Sequence, residues 1–145
     1  MLQVAGIALV DEAKDLTRLF VLRRGDNPWN ADSFTAQFVY NEPDATFVPS
    51  PILRVDAESG KVLQSFGNGL FILPHGLSIA KDKSGKPTAL WATDIARHQV
   101  MKFDWNKLSQ PSLVLGKHNR PGNDEETFCM PADVAVASTV STKLN

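Results

Sequence analysis

The 145-residue chain has one cysteine, Cys129, so no internal disulfide can staple it. A lone thiol is a common outcome for a protein made in a reducing compartment. Neither charge is in surplus, with 15 basic against 16 acidic side chains and a net charge of -1. That balance lacks the positive field a polyanion-binding surface needs, so neither nucleic acid nor an acidic membrane is an expected partner. No apolar run approaches the ~20 residues of a bilayer-crossing helix. The amino terminus Met1-Leu2-Gln3 has none of the basic, apolar and small-residue regions of a signal peptide, and no Asn-x-Ser/Thr acceptor occurs. Read literally, the chain is soluble and stays where it is made. A helical pattern of ordinary length is missing as well. Instead, 9 glycines and 9 prolines punctuate short apolar stretches, the mark of many strands joined by turns.

What is present is a phrase written three times. Pro74-His75-Gly76-Leu77-Ser78-Ile79-Ala80 is echoed 57 residues later by Pro131-Ala132-Asp133-Val134-Ala135-Val136-Ala137, and 70 residues earlier by Val4-Ala5-Gly6-Ile7-Ala8-Leu9-Val10. Each copy leads a small-residue turn into an alternating apolar run, as a strand entering a half-buried sheet requires. The copies with Ala5 and Ala132 do without the imidazole, so His75 is not needed by the strand and is a candidate for chemistry.

Between the copies, a strand is expected within Thr17–Arg24, two hairpin arms at Pro51–Asp56 and Lys61–Gly67, and further strands at Thr88–Asp94, His98–Trp105 and Ser112–Leu115. In His98–Trp105, Met101, Phe103 and Trp105 fall on one face and Lys102 and Asp104 on the other. The aromatic-rich stretch Trp29–Ser50 is irregular and reads as an insertion, which at that length is usually functional or disordered. A repeat of ~45 residues suits a four-stranded propeller blade. Allowing for insertions, residues 1–137 make an all-β, partial propeller of two complete blades and the start of a third, where closed propellers have about 4 to 8. Residues 138–145, rich in serine and threonine, form a divergent and disordered tail in this reading.

Taken together, five phrases resemble the lyase domain of the peptidylglycine α-amidating enzyme, peptidyl-α-hydroxyglycine α-amidating lyase. They are Gly6-Ile7-Ala8-Leu9; Arg24-Gly25-Asp26 with Trp29 and Ser33-Phe34; Leu73 to Ile79; Thr93-Asp94 with His98-Gln99-Val100; and Phe128-Cys129 with Pro131 and Asp133 to Val136. They follow the family's order from about Gln3 to Ala137. The resemblance implies a six-bladed propeller of the NHL-repeat type that cleaves the N–Cα bond of a peptide ending in α-hydroxyglycine, releasing peptide amide and glyoxylate. It further implies that His75 is one of three zinc-binding histidines and that Arg24 holds the glycolate end of the substrate. The backbone carbonyls of Ile7 and Leu77 would bind a structural calcium, a use supported by their equivalent places in the repeat, since calcium prefers oxygen ligands. Cys129 matches a cysteine that the family pairs with one farther along, beside a tyrosine base.

That cysteine partner, the tyrosine and two zinc histidines are not in this sequence, so the chain alone is expected to be inactive and to self-associate through open blade edges. The family also usually has histidine where Arg23 and Asn27 stand. By resemblance the protein belongs to the secretory pathway, with its true amino terminus missing and a monooxygenase domain in the parent. The competing reading is a non-catalytic NHL-type propeller fragment that binds protein or RNA; the absent basic face counts against RNA. His98 is read as a packing or turn residue, His118 and the acidic run Asp124-Glu125-Glu126 as solvated loop, and Asp94 and Asp133 as caps of backbone amides.

Overall fold

A computed structural model describes residues 3–13, 16–25, 29–41 and 48–137. Eight strands form two antiparallel four-stranded sheets, each in simple sequence order. The first contains β1 (Val4–Ala13), β2 (Leu16–Arg23), β3 (Ile52–Asp56) and β4 (Val62–Phe66). The second contains β5 (Pro74–Lys81), β6 (Pro87–Asp94), β7 (Gln99–Asp104) and β8 (Leu113–Leu115). Among the described residues the only helical element is a single 3-10 turn, Ala31–Ser33, closed at its start by the Asn30 side chain. The fold is all-β and consistent with part of a propeller, with both sheets left open.

Alternation places the core. In β2, Phe20 and Leu22 are fully buried, and their sheet neighbours Ile52 and Phe66 turn the same way. They meet Leu90, Met101 and Phe103 of the second sheet and Phe71 of the linker in one apolar layer. Each such side chain contributes about 1.5–3 kcal/mol by burial. Phe20 also lies 5.3 Å from the Trp105 ring, closing the outer rim of that layer. The two sheets approach most closely at their innermost strands, β1 on β5.

The hairpin arms, and the strands expected near 88–94 and 112–115, appear as β3, β4, β6 and β8. Met101 and Phe103 are buried and Asp104 is exposed, as the alternation requires. Two placements differ. His98 does not open β7 but ends the turn before it, with φ at 57°; a left-handed residue is needed there to bring the tight turn back into the ladder. The third copy, residues 131–137, carries no ladder: it packs against β5 at Gly76 without pairing to it backbone to backbone. The insertion is packed where it is described. Tyr40 and Val48 are buried, and Arg23 binds the Ser50 and Pro49 carbonyls at 3.1 and 2.9 Å. Residues 42–47 and the tail from 138 onward lie outside the described residues.

The β6–β7 turn is organised by Asp94, which has no solvent exposure. One carboxylate oxygen accepts the Ile72 and Leu73 amides at 2.6 and 3.0 Å, and the other accepts the Arg97 amide at 2.9 Å. Burial pushes its carboxyl pKa up, while these donors and the Arg97 charge hold it down. Asp94→Ala would strand these amides, each unsatisfied buried group costing about 1–3 kcal/mol. A loss of about 3 kcal/mol or more is expected, read from the urea midpoint. Ile7 and Leu9 on β1 and all of β8 are exposed apolar surface on sheet edges, and unpaired edges recruit other chains. The 145-residue chain is therefore expected to sediment as oligomers; a monodisperse monomer with a sharp unfolding transition would contradict this.

Candidate functional site

The three copies of the repeated phrase meet. Ala5, Gly6 and Ile7 from β1, His75, Gly76 and Leu77 from β5, and Ala132 with Asp133 line one open cleft of about 330 Å³. Glycine makes the approach feasible. A Cβ on Gly6 would sit 2.9 Å from the Leu77 Cβ, and one on Gly76 would sit 2.6 Å from the Ala132 carbonyl oxygen. Any side chain would force the segments apart.

His75 is half-buried in this cleft, and its Nδ1 lies 2.8 Å from the Ala132 carbonyl oxygen. A carbonyl can only accept, so Nδ1 carries a proton, and in the neutral tautomer the lone pair is on Nε2. This is the arrangement of a metal-binding imidazole, with the second ring nitrogen oriented by a backbone acceptor. Among the described residues, no group of three or more His, Cys, Asp or Glu side chains could hold a metal. Among the described residues, therefore, the cleft offers the His75 ring without two further such side chains beside it.

Arg24 follows β2. Its amide donates to the Gln3 carbonyl at 2.9 Å and its Nε to the Pro74 carbonyl at 3.2 Å. The guanidinium lies 4.9 Å from the Trp29 ring centroid, a cation–π arrangement that holds the planar group on one face. Partial burial lowers its pKa, yet an arginine stays charged. The structure therefore brings Arg24 to the residue immediately before His75, 50 positions away in sequence.

Ile7 and Leu77 line the same cleft, their side chains exposed and buried respectively. Cys129 is a free, exposed thiol outside that cleft, beside Phe128 and Pro131. The acidic run is a solvated loop, where Asp124 accepts the Glu126 amide and the Thr127 hydroxyl and Glu126 pairs with Lys117. Asp133 caps the Val134 amide at 2.8 Å. What the sequence did not reveal is Ala132: its part in the cleft is played by a backbone carbonyl, which no side-chain pattern marks.

No family model matches the chain. Curated relatives do. The chain is 42% identical over 135 residues, 92% of its length, to a peptidylglycine alpha-amidating monooxygenase of Rattus norvegicus. It is 44% identical over 135 residues to peptidyl-glycine alpha-amidating monooxygenase A of Xenopus laevis. It is also 34% identical over 135 residues to a probable peptidyl-alpha-hydroxyglycine alpha-amidating lyase of Caenorhabditis elegans. The chain is a homologue of one segment of the amidating lyases. It spans 13% of the rat protein and 35% of the nematode lyase.

Of the two cleft glycines, Gly76 is the more tightly packed. Gly76→Ala would push its Cβ into Ala132 and Asp133, and overpacking of this kind costs about 1–3 kcal/mol. Thermal denaturation should show that loss, and limited proteolysis should show faster cleavage between residues 122 and 137.

Proposed function

We propose that this chain supplies a zinc ligand, His75, and a substrate-binding arginine, Arg24, to a peptidyl-α-hydroxyglycine α-amidating lyase. The reaction is cleavage of the N–Cα bond of a C-terminal α-hydroxyglycine to give peptide amide and glyoxylate. The observation that carries this reading is the bond from Arg24 Nε to the carbonyl of Pro74, which ties the guanidinium to the residue next to His75. Relatives named as amidating enzymes and amidating lyases support that chemistry.

In this reading each residue has a distinct task. With Nε given to Pro74, the terminal nitrogens of Arg24 are the donors left for a carboxylate, and paired N–H groups suit its two oxygens. Trp29 covers one face of the guanidinium and keeps water from it. His75, protonated at Nδ1, offers Nε2 as a fixed lone pair. Zinc, when bound, lowers the pKa of a coordinated hydroxyl. The carbonyls of Ile7 and Leu77 would hold a structural calcium, which would tie β1 to β5. Cys129 forms a disulfide with a cysteine elsewhere in the mature protein. A neighbouring monooxygenase domain, of the kind named in the vertebrate relatives, belongs to the parent, which enters the secretory pathway.

One ligand from the described residues makes a weak site, and groups that act as a unit lose nearly all activity when one is removed. The 145-residue chain should therefore release no glyoxylate from an α-hydroxyglycine peptide above the rate of zinc in buffer. Equilibrium dialysis should show weak zinc binding that disappears in His75→Ala and persists in Arg24→Ala. Equal zinc retention by His75→Ala would overturn the assignment.

A further inference from the structure

His98 lies outside the cleft and has no solvent exposure. Its backbone sits in the left-handed region, at φ 57°. Its Nδ1 accepts the Met130 amide at 3.0 Å, so the ring proton must reside on Nε2. That nitrogen is buried. An apolar side chain would bear the same backbone strain and would leave the Met130 amide without this acceptor, so the imidazole is kept for what Nδ1 does. Burial lowers its pKa, the Phe38 backbone raises it and the nearby His118 lowers it again. With burial and the nearby His118 both opposing the charge, the neutral ring that Met130 requires is the favoured form.

Met130 and Ala132 are separated by Pro131 alone, whose ring fixes φ. The Met130 amide ends on His98 and the Ala132 carbonyl ends on His75 Nδ1. His75, with a proton on Nδ1, and His98, with its proton on Nε2, are thus joined through a three-residue strut. We propose that His98 is a positioning residue: by accepting the Met130 amide it holds the Ala132 carbonyl on His75 and keeps the Nε2 lone pair of His75 free for a metal. The last step rests on the zinc reading above; the control of the His75 tautomer does not.

The chain has three histidines, so ¹⁵N-histidine labelling and solid-state NMR resolve each ring in the metal-free, self-associated protein. Expected in the wild type are a proton on Nδ1 of His75 and on Nε2 of His98. His98→Leu removes the acceptor, and His75 should shift toward the Nε2–H form that free histidine prefers. His98→Asn keeps an acceptor and tolerates the left-handed backbone, and should restore the Nδ1–H form. Zinc affinity should fall about ten-fold in His98→Leu and recover in His98→Asn. An unchanged His75 ring in His98→Leu overturns the inference and leaves the proposed function standing. Wild-type protein that binds no zinc overturns the proposed function and leaves the tautomer control standing. If His98→Leu does not fold, a ¹⁵N–¹⁵N coupling across the Met130–His98 hydrogen bond in the wild type decides: its presence supports the strut and its absence refutes it.

Discussion

At Gly6 and Gly76 the repeated backbones come so near that an added Cβ would lie 2.9 Å from Leu77 and 2.6 Å from the Ala132 carbonyl oxygen. That missing volume is what the rest of the site depends on. It lets β1 rest on β5, lets the segment after Met130 reach the start of β5, and so gives His75 a carbonyl to donate to. The same approach defines a cleft among three segments that are otherwise far apart in the chain. Burial of apolar side chains stabilises the two sheets as bodies, but it is non-directional; the close glycine contacts decide where their inner strands meet.

Behind the cleft, the β6–β7 turn gathers the loops. Asp94 binds the linker at Ile72 and Leu73, Arg97 binds the Leu70 carbonyl at 2.7 Å, and His98 binds Met130 at 3.0 Å. Tyr40, Ile72, Leu73, Ile95 and Ala96 pack around them in a second apolar cluster, with Phe34 and Met130 against it. A short run, Asp94 to His98, therefore supports the cleft-lining segments from below, and its polar groups are buried because they serve loops that have no ladder of their own. Arg24 is held from the other side by Pro74 and Trp29.

Similarity over 92% of the chain, but to only 13% or 35% of each relative, matches what the geometry offers. One imidazole is oriented as a ligand and one guanidinium is placed beside it, while among the described residues no further side chains converge to finish a metal site.

By itself the sequence determined the all-β class, the hairpins, the inward faces of β2 and β7, and the singling out of His75, because these rest on local periodicity and on comparison of one repeat with the next. Period-two alternation places Met101 and Phe103 on one face whatever lies beyond them. Only the tertiary structure decided that residues 131–137 carry no ladder, that His98 belongs to a left-handed turn, that Arg24 reaches Pro74, and that the Ala132 carbonyl fixes the proton on His75. Those are backbone hydrogen bonds and close approaches between segments 32 to 57 residues apart. A backbone amide or carbonyl is the same at every position, so its partner is set by where the folded chain brings it.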